Sequence, residues 1–203
     1  MISRRLLRIK ALLVLYAFNR KDGDDLKEAE RELNTSIEKA YDLYLYLLLL
    51  LVELAGIANE RIETGLHKKM PSRDDLNPSR RFADNKIIKA LTDSRVLEKL
   101  ARERALSWND NREISRVLFN KLATWEPYRM YLKGEYTGIT EERKFLMNLL
   151  TDLLLVSDDL ISHLEERSIY WNDDQEFAVI MAEKTLRKIK DDSTELAALL
   201  PLF

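Results

Sequence analysis

The first twenty residues place apolar side chains at the spacing of an α-helix. When residues 2–20 are set on a helix at 100° per residue, the apolar side chains fall on two faces. These faces consist of Ile2, Leu6, Ile9, Leu13 and Tyr16, and of Leu7, Ala11, Val14 and Phe18. From its third turn onward the helix is apolar nearly all round. The pattern therefore predicts a buried N-terminal helix at the centre of a bundle.

Capping and turn residues set the other predicted helix boundaries. Ser3 caps the first helix, and a second begins near Asp25 and continues to about Leu66, unbroken or interrupted near Gly56. Residues 70–78 form the clearest loop. Further helices are predicted over 84–91, from Ser94, over 114–122, over 140–166, and over 173–190, the last opened by a capping box of Asp173 and Glu176. A short segment begins at Pro127 and ends at Gly134.

Composition favours an all-α, multi-helix bundle. Only 5 Gly and 4 Pro occur in 203 residues, too few for the turns of a β-rich fold, while 46% of the residues are hydrophobic. We expect one helical region over 1–203, which the 68–83 loop could subdivide. The apolar run from Leu43 to Val52 is shorter than the roughly 20 residues that span a bilayer, so a buried helix is expected there.

The chain ends in five residues of which four are apolar, Leu199 to Phe203. Two interpretations are open. The tail packs on the bundle, or the sequence is the N-terminal part of a longer polypeptide.

Charge is distributed unevenly along the chain. Of the 33 Lys and Arg residues, six stand among residues 1–21, which contain no acid. Arg4, Arg5 and Arg8 share an arc of about 100° on the predicted helix. Cations at a helix N-terminus oppose the helix dipole, and phosphate is a natural external partner for guanidinium groups. Two interpretations are open: the arginines bind RNA, or they pair with acids of the same chain.

The segment from Ser3 to Tyr16 resembles the opening helix of the NusB family of transcription antitermination factors. An Arg-Arg-x-x-Arg element precedes an Ala and a Leu-Tyr pair in that family, and Arg4, Arg5, Arg8, Ala11 and Leu15-Tyr16 match it. Ile9 and Leu13 depart from the family's Glu and Gln. Residues 77–85 and 168–174 are similar to segments of a long variant from Bacteroidetes-type bacteria.

The resemblance implies an all-helical, cytoplasmic protein that binds boxA-like single-stranded RNA together with the ribosomal protein NusE. Other Nus factors associated with RNA polymerase would be further partners. RNA contacts are expected at Arg4, Arg5, Arg8 and Lys10, whereas Ala11, Leu15 and Tyr16 would be packing positions. The family's C-terminal half has no match here, which favours the interpretation that the sequence ends before that half.

A second basic stretch lies on both sides of the 70–78 loop. It contains His67, Lys68, Lys69, Arg73, Arg80 and Arg81. Arg80 and Arg81 are candidates for auxiliary RNA contacts, and the alternative is a solvated loop. The three tryptophans are expected in the core or at its rim.

Other functions find less support in the sequence. Without cysteine there is no disulfide or thiolate metal site, and two histidines are too few for a zinc or di-iron centre. No phosphate-binding glycine loop or nucleophile motif is present, so neither a cofactor nor enzymatic activity is expected. The alternatives kept are a helical protein–protein interaction module without direct RNA binding, and an RNA-modifying enzyme, which would require a cofactor-binding domain.

Overall fold

A computed structural model describes residues 3–20, 25–135, 138–190 and 199–202, excluding the side chains of residues 73 and 74. The described part is helical without strands, which confirms the all-α prediction. Its helices are α1 (Arg4–Arg20), α2 (Leu26–Leu66), α3 (Arg73–Leu76), α4 (Lys86–Thr92), α5 (Arg95–Glu103), α6 (Arg112–Thr124), α7 (Glu126–Lys133), α8 (Ile139–Asn148), α9 (Asp158–Arg167) and α10 (Gln175–Lys188). A 3₁₀ turn, Asn109–Asn111, precedes α6, and π-helical turns, Leu149–Leu154, continue α8.

The bundle is organised around α2, which is the long buried helix of the N-terminal part. Every residue from Ala40 to Leu48 is buried, and the helix runs through Gly56 without a break. By length and composition α2 could span a membrane, but 78% of its most apolar window is buried inside the protein. The core helix of a soluble protein meets the same criteria of length and composition. In this structure the apolar run is buried against the other helices of the bundle.

Helix α10 packs along α2 and closes the core. The hydroxyl groups of Tyr44 and Thr185 share a buried hydrogen bond of 2.7 Å. Leu199 and Leu200 are also buried, and the Leu200 amide donates to the Tyr44 hydroxyl at 3.3 Å. Residues 199 and 200 therefore pack on the bundle, as the first interpretation of the apolar tail expects.

Helix α1 does not lie at the centre, and the expectation that it would be buried from its third turn is wrong. Only Leu6 and Lys10 are buried, whereas Leu12, Leu13, Leu15 and Tyr16 are exposed. The helix lies against α2 on the outside of the bundle. Its apolar circumference resembled that of a core helix, but α2 offers a longer continuous apolar surface and occupies the core instead.

Most local capping predictions are confirmed. Ser3 accepts a hydrogen bond from the Leu6 amide, Asp25 from the Lys27 and Glu28 amides, and Ser94 from the Leu97 amide. The helix predicted to begin at Asp84 begins at Lys86, capped by Asn85.

Two predicted boundaries are wrong. The helix predicted over 140–166 is interrupted after its π-helical turns, and a new helix, α9, begins at Asp158. Asp158 and Asp159 stand in its first turn, where acidic side chains stabilise a helix. The capping box predicted at Asp173 is absent. Asp174 occupies the cap position of α10, and its carboxylate bonds Lys10 instead of the helix amides.

Candidate nucleic-acid interface

The first two turns of α1 present a cluster of three arginines to solvent. Arg4, Arg5 and Arg8 are exposed, and none forms an ion pair with any residue that the structure describes. No acid occurs in the first turn of the helix. Three guanidinium groups thus stand near the positive end of the helix dipole without internal compensation, which leaves their hydrogen-bond donors available to an external anion.

The outward face of α1 changes character along its length. Leu12 and Leu15 fall within the same arc of about 100° as the three arginines, one to three turns further along. Leu12 is 68% exposed and Tyr16 is 57% exposed. We call this surface, made of Arg4, Arg5, Arg8, Leu12, Leu15 and Tyr16, the α1 outer face. Its first half is basic and its second half is apolar and aromatic.

The packing roles implied for Leu15 and Tyr16 are wrong. Leu15 is 51% exposed, and the Tyr16 ring faces solvent with the Arg20 guanidinium carbon 4.9 Å from its centroid. Ala11 is half-buried. An aromatic ring beside a cation is an arrangement on which an unpaired base can stack.

The predicted RNA contact at Lys10 is wrong. Lys10 is buried, and its Nζ lies 2.7 Å from Asp174 Oδ2, whose side chain is also buried. Burial raises the pKa of the Asp174 carboxyl, and the hydrogen bond and charge of Lys10 act in the opposite sense. Lys10 therefore fastens α1 to the start of α10 and is not available to a ligand at the surface.

Arg81 is a structural residue, and its assignment as an auxiliary RNA contact is wrong. Its side chain is only 9% exposed and donates to Glu141 and to the carbonyl of Tyr131, both at 2.7 Å. The guanidinium group also lies over the Tyr131 ring, 4.2 Å from the centroid. Burial raises the pKa of the neighbouring Glu142, whose Oε1 accepts a hydrogen bond from the Tyr131 hydroxyl.

Arg80 is half exposed but engaged on several sides. It contacts Glu63 and Asp84, both at 3.2 Å, and Asn59 at 2.7 Å. Lys68 is likewise paired with Asp75 at 2.7 Å. Lys68 and Arg80 thus follow the alternative of a solvated loop, and their charges are compensated, in contrast to the arginines of α1.

Two grooves flank α1. One, of about 180 Å³, lies toward α2 and the 169–174 segment, and the other, of about 630 Å³, lies toward α10. Leu6, Ile9 and Leu13 line both, and Arg5 stands at the edge of the larger groove. Apolar residues therefore line both grooves, and acids stand among them: Asp173 lines both, Glu32 the smaller one and Glu176 the larger one.

The remaining sequence candidates are structural. Trp108 and Trp171 are buried and Trp125 is half-buried, which confirms their place in the core or at its rim. Within the described ranges, no group of three His, Cys, Asp or Glu residues could hold a metal ion.

One basic site emerges only in the fold. Lys39, Arg104 and Arg167 line a common cleft, although 128 positions separate the first from the last. The local sequence signal for it is Asp42, a carboxylate inside an otherwise apolar buried run, which requires a cationic partner.

Comparison of this chain with protein-family models, with curated proteins and with solved structures finds no match.

Proposed function

We propose that this protein binds single-stranded RNA through the α1 outer face and acts, like the NusB family that its opening helix resembles, in transcription antitermination. The observation that carries the proposal is the exposure of Arg4, Arg5 and Arg8 without an ion-pair partner among the described residues. Guanidinium groups bind phosphate oxygens in pairs of parallel hydrogen bonds, so three of them can hold successive phosphates.

The grouping of three unpaired arginines within two turns of one helix supports this assignment, since Arg95 and Arg116 also lack an ion pair among the described residues but lie on different helices. Arg80, Arg81, Arg104 and Arg112 each reach at least one carboxylate. The arginines of α1 instead stand where the helix dipole disfavours them, at a cost on the order of 0.3–1 kcal/mol each. An RNA backbone would offset this cost with direct charge pairing.

The second half of the α1 outer face suits the bases. Tyr16 offers an exposed ring beside Arg20, and Leu12 and Leu15 lie between this ring and the arginines. Unpaired bases stack on aromatic side chains and guanidinium planes, which double-stranded RNA does not permit. The arrangement therefore favours a single strand whose phosphates contact the first two turns and whose bases contact the third and fourth.

The test compares two triple variants of equal charge. In the first, Arg4, Arg5 and Arg8 are changed to Ala. The matched control changes three exposed cations elsewhere to Ala. They are Arg95 on α5, Arg116 on α6 and Lys133 on α7, and none of them has an ion pair within the described residues. Fluorescence anisotropy with a boxA-like RNA and a scrambled RNA is measured over a range of salt concentrations.

For the first variant we expect the slope of log affinity against log salt to fall by about 2, because each phosphate contact on a single strand contributes about 0.7. The control is expected to retain the wild-type slope and affinity. Equal losses in both variants would show a general charge effect and would reject the assignment of the contacts.

A second candidate function is protein docking without direct RNA binding, and the exposed leucines of α1 favour it. Leu12 and Leu15, both more than half exposed, form with Tyr16 the apolar half of the α1 outer face, and exposed apolar surface marks interaction sites. By the family resemblance the partner would be the ribosomal protein NusE.

This candidate is tested by calorimetric titration with purified NusE. Changing Leu12 and Leu15 to Gln is compared with changing Val96 and Met130, two exposed apolar residues elsewhere, to Gln. Loss of NusE binding in the first pair alone, with RNA binding unchanged, would favour docking over RNA recognition.

A further inference from the structure

A cleft of about 580 Å³ lies between α2, the end of α5 and the end of α9. Its described lining consists of Lys39, Arg104–Leu106 and Arg167–Trp171, with three basic residues and no acidic one. Clefts lined by a single sign of charge concentrate the electrostatic field and attract counter-ions. The cleft shares no residue with the α1 outer face, although Ile169 and Tyr170 also line the smaller groove beside α1.

A buried carboxylate holds two of the three cations in place. Asp42 is almost completely buried; its Oδ2 lies 2.9 Å from Lys39 Nζ and its Oδ1 lies 2.6 Å from Arg104 Nη1. One negative charge thus faces two positive ones. Both cations remain partly exposed to the cleft, so they retain donors for a further anion.

The third cation comes from the end of α9 and is not held by an acid among the described residues. Arg167 is exposed, forms no ion pair with any described residue, and lies over the Tyr46 ring with its guanidinium carbon 4.7 Å from the centroid. The pKa of the adjacent His163 is lowered, by burial first and by the charge of Arg167 second, while Glu166 acts in the opposite sense. The positive field of Arg167 therefore reaches its neighbours.

Two hydrogen bonds to backbone carbonyls fix the walls of the cleft. Trp171 Nε1 donates to the Lys39 carbonyl at 2.8 Å, which ties the 168–171 segment to α2. The Leu106 amide donates to the Ala101 carbonyl at 2.8 Å, and Ala105 between them has a φ of 52°. This left-handed residue closes α5 and holds Arg104 at the edge of the cleft. A preorganised site loses less conformational entropy on binding.

We propose that this cleft binds a phosphate group. Lys39, Arg104 and Arg167 bring three positive charges, and Asp42 compensates one of them. The remaining two match a phosphate monoester, which carries a charge of about −1.5 to −2 at neutral pH. The volume lies within the range of roughly 300–1,000 Å³ that is usual for small-molecule sites, so a nucleoside monophosphate fits by size. The phosphate belongs either to a free nucleotide or to the 5′ end of an RNA.

The experiment measures binding of adenosine 5′-monophosphate, inorganic phosphate and adenosine by isothermal titration calorimetry. The same series includes a short RNA with a 5′-phosphate and its 5′-hydroxyl counterpart. The wild-type protein is compared with Arg167→Gln and with Lys39→Gln. Arg116→Gln, which removes an exposed cation of α6 outside the cleft, is the matched control. Circular dichroism checks that each variant is folded.

We expect phosphate-bearing ligands to bind and adenosine not to bind. Arg167→Gln and Lys39→Gln should each weaken the affinity about tenfold or more, because each removes a charge-assisted hydrogen bond. Arg116→Gln and the variant that lacks the three α1 arginines should bind phosphate as the wild type does. This last comparison separates the cleft from the proposed RNA surface.

Binding of the mononucleotide, with no difference between the 5′-phosphorylated RNA and its 5′-hydroxyl counterpart, identifies a free nucleotide as the source of the phosphate. Binding of only the 5′-phosphorylated RNA, lost in Arg167→Gln, identifies an RNA end. The proposal is overturned if no phosphate compound binds the wild-type protein at millimolar concentration, or if Arg116→Gln and Arg167→Gln weaken binding equally.

Discussion

Lys10 Nζ lies 2.7 Å from Asp174 Oδ2, and this buried ion pair joins α1 to the start of α10 through two residues 164 positions apart in the sequence. It explains how α1 stays attached to the bundle although only Leu6 and Lys10 of that helix are buried. The orientation of the α1 outer face, and hence the exposure of its arginines, depends on this attachment.

Lys10→Met is expected to lower the free energy of unfolding by about 3–5 kcal/mol, because it leaves the Asp174 carboxylate buried without a cation. The double variant Lys10→Met, Asp174→Leu should recover most of the loss. Asp174 makes no side-chain capping bond to α10, so its removal breaks no cap. Urea unfolding measures both variants, and equal stability of the single and the double variant would contradict the role of the pair.

The stability of the protein is expected to fall as the pH falls below about 6.5, with His163 contributing. The pKa of His163 in the folded protein is lowered, by burial first and by Arg167 second, from a usual value near 6.5. The unfolded chain therefore binds the proton more readily. The contribution of His163 is present in full above its unfolded pKa and is lost toward its folded pKa, with a slope of at most about 1.4 kcal/mol per pH unit.

His163→Gln isolates this contribution from the carboxyl groups that titrate at lower pH. Glutamine can keep the hydrogen bond that joins the His163 ring to the Tyr46 hydroxyl, which is 3.0 Å long, but it does not titrate. The difference in unfolding free energy between wild type and variant is measured at pH 7.5 and at pH 5.5. A difference that is the same at both values would show that the pKa of His163 is not lowered by folding.

Features set by neighbouring residues could be predicted from the sequence. Ser3, Asp25 and Ser94 cap helices because a short polar side chain reaches the amides two or three residues ahead, whatever the rest of the chain does. The exposure of Arg4 and Arg5 likewise agrees with their position on the helix. Local geometry decides these cases.

Features set by distant residues could not be predicted. Lys10 and Arg81 carry the same charge as the exposed cations, and only their partners, Asp174 and Glu141, 164 and 60 positions away, place them in the interior. Both α1 and α2 are apolar enough to be core helices, and only the packing of the whole chain decides which of them is buried. A helical wheel of either segment alone does not contain this information. The cleft of Lys39 and Arg167 arises from the same long-range packing.

Ala105→Gly is expected to stabilise the protein by about 0.5–1 kcal/mol, because alanine at a positive φ costs at least this much relative to glycine. Ala105 has a φ of 52°, where a Cβ atom is strained and glycine is not, and it follows the C-cap of α5 in the position that glycine usually occupies. Thermal and urea unfolding measure the gain. Ala101→Gly, at a regular helical position four residues earlier, is the control and should destabilise the protein instead. A loss of stability in Ala105→Gly would mean that the left-handed conformation carries no strain.

Tyr16→Ala is expected to weaken binding of single-stranded RNA by about 1–3 kcal/mol, if the exposed ring stacks on a base as we propose. Tyr16→Phe should bind like the wild type, because the π-face of the ring is retained. Since tyrosine carries no charge, the dependence of the affinity on salt should stay unchanged in both variants, in contrast to the loss of slope expected when the α1 arginines are removed. Anisotropy measurements at two salt concentrations separate these effects. Equal affinity of Tyr16→Ala and wild type would restrict the RNA contact to the basic half of the α1 outer face and leave the apolar half to a protein partner.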